Sequence, residues 1–221
     1  VTAPDRDAVI AGATGLVGSE LLAAIARARA YPRVFALARR ALPPDFPGLR
    51  AVEARFDALD AVLGAVRPGA DIFCCLGTTI RKAGSQAAFR AVDHGHVVAL
   101  ARWARTAGAR RLLLVSALGA DPDSRVFYNR VKGEAERDVR AQGPASVVVL
   151  RPSLLDGERT EQRPGERFAL ALARPLRALI PARLRPVPAA DVAAALLDAA
   201  RATSPPPVLE SASLLGACRP E

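Results

Sequence analysis

Cysteine, aromatic side chains and long apolar runs are all scarce in this sequence, and each shortage removes a class of protein. The three cysteines, Cys74, Cys75 and Cys218, form an odd set with one adjacent pair. That suits neither a disulfide framework nor the spacing of metal ligands, and no metal site is expected. Apolar blocks are interrupted by Arg, Asp or Pro well short of the ~20 residues that a membrane-spanning helix needs, so no span is expected. The opening VTAPDRD has no basic start followed by an apolar stretch and does not read as a secretory signal. Together with the cysteine usage this points to a cytoplasmic protein. Aromatic residues make up 5% of the chain and are not interleaved with basic ones. The formal net charge of +9 therefore comes without the stacking platform that nucleic-acid binding uses. Arginine is spread through every segment, with only short clusters such as Arg39–Arg40 and Arg110–Arg111, and no nucleic-acid partner is expected.

What the chain does contain is core. Its 221 residues, 51% hydrophobic and 24% charged, suit a single globular domain, 1–221, rather than a disordered chain. Residues 202–207, ATSPPP, and the last few positions read as a loose tail. Along the chain, short apolar runs at 8–13, 34–38, 51–56, 71–76, 111–116 and 146–150 predict strands. Helical spacing is seen at 15–29, 58–66, 85–106 (with Ser85 as N-cap), 128–141 and 190–202, and 208–210 can add an edge strand. Runs such as DIFCCL and RLLLVS are apolar throughout, as strands covered on both faces should be. The alternation predicts an α/β, Rossmann-like, doubly wound parallel sheet. It breaks down after Arg151. Residues 153–188 are rich in Arg and Pro, with one apolar helical stretch at 168–180, and form the candidate for a small substrate-facing lobe.

Gly12-Ala13-Thr14-Gly15-Leu16-Val17-Gly18 follows the first strand and opens the first helix, the context in which a glycine triplet points to a dinucleotide. Gly12 permits the tight turn, and Gly15 lets backbone N–H groups approach a pyrophosphate at the positive end of the helix. Gly18 lets helix and strand pack closely. Gly12, Thr14, Gly15, Leu16 and Val17 are thus candidate cofactor ligands. The second strand runs into Arg39–Arg40, with no carboxylate before Asp45. An acidic residue there would bind the ribose 2′-hydroxyl, whereas an arginine fork suits a 2′-phosphate, so NADP(H) is expected rather than NAD(H).

Tyr128 and Lys132 stand four residues apart on one helix face, and Ser116 lies twelve residues upstream of Tyr128 at the end of the fifth strand. Reduction of a carbonyl needs a proton donor for the forming alkoxide. A phenol serves if a neighbouring ammonium lowers its pKa, and a hydroxyl beside it can bond the same oxygen. With the glycine turn, this set resembles an atypical short-chain dehydrogenase/reductase, and within that group its Tat-interactive-protein-like branch. The likeness also rests on Cys75-Leu76-Gly77-Thr78-Thr79, Lys82-Ala83-Gly84, Val92-Asp93, Ser116-Ala117-Leu118-Gly119-Ala120-Asp121, Lys132-Gly133-Glu134-Ala135-Glu136 and Leu150-Arg151-Pro152.

The resemblance implies that Tyr128 is the acid/base, that Lys132 also holds the nicotinamide ribose, and that Ser116 orients the carbonyl. It further implies that Asp57 contacts adenine, that Leu76, Gly77 and Thr78 line the cofactor, and that residues around Pro152 flank the nicotinamide. Classical members carry Asn-Asn-Ala-Gly after the fourth strand and an Asn in the next helix. CLGTT and Asp93 stand there instead, which removes the basis for an Asn-centred proton relay. The reading is an NADP(H)-dependent oxidoreductase of a small carbonyl or alcohol, as a monomer or homodimer. Two alternatives are a non-catalytic NADP(H)-binding sensor or scaffold, and a sugar-nucleotide epimerase or dehydratase. The intact Ser–Tyr–Lys set speaks against the former and the short C-terminal part against the latter.

Overall fold

A computed structural model describes residues 5–38, 42, 46–156 and 181–218. Among them runs a seven-stranded, all-parallel sheet. Its strands are β1 (Asp7–Ala11), β2 (Arg33–Ala38), β3 (Leu49–Glu53), β4 (Asp71–Cys74), β5 (Arg111–Val115), β6 (Val147–Arg151) and β9 (Val208–Glu210), in the order β3-β2-β1-β4-β5-β6-β9. The order reverses between β1 and β4, which are paired directly, Ala11 beside Cys74. Loops leaving the two strands diverge there and open a crevice at the carboxyl edge, where ligands of such sheets bind.

Period-two alternation divides the core between the two faces. On one, Ile10, Phe73 and Leu113 pack with α1 (Leu16–Ala28) and α7 (Ala189–Arg201). On the other, Val9, Ile72 and Leu112 pack with α2 (Leu59–Leu63), α5 (Val97–Thr106) and α6 (Phe127–Gln142). Both faces being covered, the central strands are apolar at nearly every position, which is why they were legible as short unbroken runs. The sequence places β3 at 51–56, but it ends at Glu53. As an edge strand it is half exposed, and carries no continuous apolar run to mark its limits.

The long helix expected over 85–106 is three segments. The short α4 (Gln86–Arg90) starts at Ser85, whose hydroxyl accepts from Ala88 N–H at 3.1 Å. A π-helical turn covers Ala91–His96, and α5 follows. Before α4, α3 (Ile80–Ala83) is capped in the same way by Thr79.

Residues 202–218 are docked rather than loose, and the last three positions, 219–221, lie outside the described residues. Arg111 donates to the carbonyls of Ala199 and Ala202, closing the C-terminus of α7, and Arg110 bonds Ala200 and the buried Asp71. These two arginines thus satisfy orphan carbonyls at the negative end of a helix. Past β9, the short α8 (Ser211–Leu214) leads to Gly216 and Cys218, whose N–H groups donate to the buried Asp191. Of the expected lobe, the flanks are seen. β7 (Leu155–Asp156) pairs with β8 (Val187–Pro188), Ser153 hydroxyl donates to the Arg185 carbonyl, and 182–184 form a 3-10 turn. Residues 157–180, with the helical stretch expected at 168–180, lie outside the described residues. No helix among the described residues is long and apolar enough to cross a membrane.

Candidate active site

The glycine turn sits where β1 meets β4. Gly12 has φ +83°, and a Cβ there would stand 2.5 Å from the Cys75 carbonyl oxygen, so only glycine lets the turn press against the end of β4. A Cβ on Gly18 would fall 2.2 Å from the Gly12 carbonyl oxygen, which pins α1 onto the turn. Gly15 is the N-cap of α1 and supplies no side-chain bond to the first turn. Thr14 and Gly15 are exposed, Leu16 partly so, and Val17 is buried in the core. The N-terminus of a thirteen-residue helix therefore opens at the crevice, with its positive end toward it. That fits a pyrophosphate.

Next to this turn, Cys75-Leu76-Gly77-Thr78 leaves β4 along the carboxyl edge. Burial pushes the Cys74 thiol up to about 11 and raises that of Cys75 as well, so both are packed thiols rather than nucleophiles. Thr78 N–H donates to Asp93 Oδ2 at 2.9 Å. Asp93 projects from the π-helical turn and is 1% exposed. Its other oxygen, Oδ1, lies 2.8 Å from Lys132 Nζ on α6. That contact is a buried ion pair. The exposed Gly77 lies directly over it: a Cβ there would stand 3.7 Å from Asp93 Oδ1 and 3.8 Å from Lys132 Nζ. Burial works against the Lys132 ammonium, but the Asp93 carboxylate and the neighbouring Tyr128 outweigh it. Lys132 accordingly holds its proton above the usual lysine range.

Tyr128, one turn before Lys132, is half buried with its ring 5.5 Å from that of Phe89. Gly133 brings this end of α6 tight against the loop after β5, since a Cβ there would meet Asp121 and Pro122 backbone at 2.2 Å. Ser116 sits just past β5 and is buried, and its hydroxyl donates to Glu136 Oε1 at 2.5 Å. Arg151 holds the same carboxylate, 2.7 Å from Oε2, and reaches on to Glu210. The one proton of Ser116 is thus directed to the buried Glu136, in a network that joins β5, α6, β6 and, at its exposed end, β9, rather than toward a substrate oxygen. Pro152 is buried beside it, its carbonyl accepting from Leu118 N–H at 2.8 Å.

Asp57 is exposed at the carboxyl end of β3, paired with Arg55 at 3.5 Å. It borders a hollow with Phe56 and His96, whose rings stack at 4.4 Å. Arg39 and Arg40 lie outside the described residues. The structure therefore gathers the glycine turn, Leu76–Thr78, Lys132 and Tyr128 along one edge. Sequence reading missed two carboxylates in that region. Asp93 stood out only as a departure from the classical pattern, and Glu136 only as part of a motif. Their partners are remote in sequence, so no local spacing marks them.

Comparison with known proteins agrees with this fold. Residues 12–203 match the family described as NAD(P)H-binding. Protein FMP52, mitochondrial, of Eremothecium gossypii is 36% identical over 160 residues, covering 72% of this chain and 70% of that protein. Protein HTATIP2 of Rattus norvegicus is 36% identical over 169 residues, covering 75% and 69%. Among solved structures, MoeE5 in complex with UDP-glucose and NAD superimposes with a TM-score of 0.67 at 19% identity, covering 92% of this chain and 74% of that one. Human epimerase family protein SDR39U1 with NADPH gives 0.61 at 18%, covering 89% and 70%. The expectation of a cytoplasmic protein is overturned, because relatives at 36% and 38% identity are named mitochondrial. Cysteine usage and the opening residues bear on export alone, and carry no signal that separates cytosol from mitochondrion.

Proposed function

Because the chain belongs to the NAD(P)H-binding family, in the Tat-interactive-protein-like branch of atypical short-chain dehydrogenases/reductases, we propose that it is an NADP(H)-dependent oxidoreductase acting on a small carbonyl or alcohol. The observation that carries this reading is the placement of the Tyr128–Lys132 pair on the edge where the open N-terminus of α1 faces the crevice. Gly12, Thr14, Gly15, Leu16 and Val17 would hold the pyrophosphate. Leu76, Gly77 and Thr78 would lie along the cofactor, Asp57 beside the adenine and Pro152 beside the nicotinamide. The phosphate on the 2′ position falls to Arg39 and Arg40. When bound, the nicotinamide supplies the hydride that reduces the carbonyl carbon.

Tyr128 Oη then gives its proton to the carbonyl oxygen, leaving a phenolate that the Lys132 ammonium stabilises until a solvent proton restores it. Ser116 enters as a brace, tying β5 to α6 through Glu136 and so fixing the helix that carries both residues. The test is Tyr128→Phe, which keeps the ring against Phe89 and removes only the hydroxyl. NADPH affinity measured by calorimetry should be unchanged. Turnover of an aldehyde, ketone or quinone found by screening the unmodified protein should fall by roughly two to four orders of magnitude. Equal turnover by the variant would remove Tyr128 from the reaction. A wide screen without turnover, alongside tight NADPH binding, would transfer the protein to the sensor class.

A further inference from the structure

A lysine that lowers a phenol's pKa does so by its charge. Here a buried carboxylate stands 2.8 Å from it. The groups around Lys132 Nζ come from several elements. They are the Cys74 thiol from β4, Asp93 from the π-helical turn and Tyr128 from α6 itself, while the Thr78 N–H from the loop after β4 is held by the other oxygen of Asp93. Glu136 is engaged by Ser116 and Arg151. Arg90 and His94, on either side of Asp93, are turned to Glu134 and Asp138 of α6. Asp93 is therefore the anion placed to answer the Lys132 charge. A cation and an anion in contact present a dipole to a third group, and a dipole's field decays faster with distance than that of a single charge.

We propose that Asp93 is a positioning residue that fixes Lys132 beneath Gly77 and cancels much of its field at Tyr128. Asp93 stands within the π-helical turn, a kind of irregularity frequent at functional sites. Asp93 bonds the loop amide with one oxygen and the ammonium with the other, so loop, helix and lysine are held by one group. The proposal rests on reading Tyr128 and Lys132 as the proton-transfer pair.

The chain has two tyrosines, and burial together with Asp71 pushes the Tyr31 phenol far above the ordinary range. Phenolate absorbance during an alkaline titration therefore reports Tyr128 alone, which a Tyr31→Phe control verifies. Asp93→Asn keeps an oxygen for Thr78 N–H and removes the charge. It should lower the phenolate midpoint by about one pH unit, as an uncompensated ammonium nearby would. Lys132→Met should raise it. The double variant Asp93→Asn/Lys132→Met, which buries no unpaired charge, should return it to near that of the unmodified protein. An unchanged midpoint in Asp93→Asn overturns the proposal. So does a double variant that rises as far as Lys132→Met alone, and this arm decides the matter if Asp93→Asn does not fold. Neither cofactor nor substrate is present, so failure here leaves the Tyr128→Phe test of the oxidoreductase reading untouched.

Discussion

Ser116 shows what residue identity can and cannot convey. Its position after the fifth strand was legible, because the strand is an apolar run and the hydroxyl follows it directly. The direction of its proton was not, because Glu136 stands twenty residues further on and becomes a neighbour only when α6 packs back on the sheet. The same holds for Asp93 and Lys132, which meet through a helix–helix contact that no spacing in the chain announces. If Ser116 braces α6, Ser116→Ala leaves a buried carboxylate short of one donor. The expected loss is about 1–3 kcal/mol of stability, read from urea unfolding, with turnover reduced far less than in Tyr128→Phe. A collapse of turnover at unchanged stability would instead restore Ser116 to direct contact with substrate. Arg39 and Arg40 carry a separate prediction. NADPH should bind more tightly than NADH, and changing both arginines to Ala should remove most of that preference, since the 2′-phosphate then loses its donors. Equal affinity for the two cofactors in the unmodified protein would exclude this assignment.

At the scale of elements, β1, β4 and β5 were legible because strands covered on both faces leave uninterrupted apolar runs. The half-exposed β3 blurred for the opposite reason. Helix α1 was marked by its glycine turn and α4 by Ser85. The π-helical turn at Ala91–His96 left no mark, since one extra residue per turn hardly alters a pattern of Ala, Val and His. It nonetheless carries Asp93, the carboxylate paired with Lys132. The turn between β1 and α1 can be tested through Gly18, where a Cβ would stand 2.2 Å from the Gly12 carbonyl oxygen and 2.9 Å from Ala13 Cα. Both obstacles are backbone, so Gly18→Ala must lift α1 from the turn. The expected cost is about 1–3 kcal/mol of stability and at least a tenfold loss of NADPH affinity. A variant that melts as the unmodified protein does and binds NADPH equally would show that the turn does not need this close packing.

For the molecule as a whole, a net charge of +9 reads as a surface property until the positions of the arginines are known. Several point inward or seal the sheet's amino edge. Arg33 and Arg67 both bond Asp7, whose carboxylate is fully covered, and Arg110 pairs with Asp71. These pairs give the acid limb of the stability curve a definite shape. Burial alone would raise the Asp7 carboxyl, but Arg33 and Arg67 outweigh it and hold it below the usual range. On α6, Arg137 lowers Asp138, with His94 adding to the effect. An unfolded chain protonates these two groups at a higher pH than the folded one. Their stabilisation is therefore complete above the ordinary carboxylate range of ~4 and is lost as the pH falls through their lower folded values. Asp71 has the opposite sign. Burial holds its carboxyl above the usual range despite Arg110 and Tyr31, so the folded protein takes up that proton first and gains relative stability as pH falls toward the unfolded value. Urea midpoints measured from about pH 7 down to about pH 3 should separate the two kinds of group. Asp7→Asn should lower the midpoint at neutral pH and flatten its fall in acid, because the variant has no proton left to take up there. Asp71→Asn should make the fall steeper, because the compensating uptake is gone. If both variants run parallel to the unmodified protein across the acid range, neither carboxylate governs its acid stability, and the inward-facing arginines act through packing and hydrogen bonds alone.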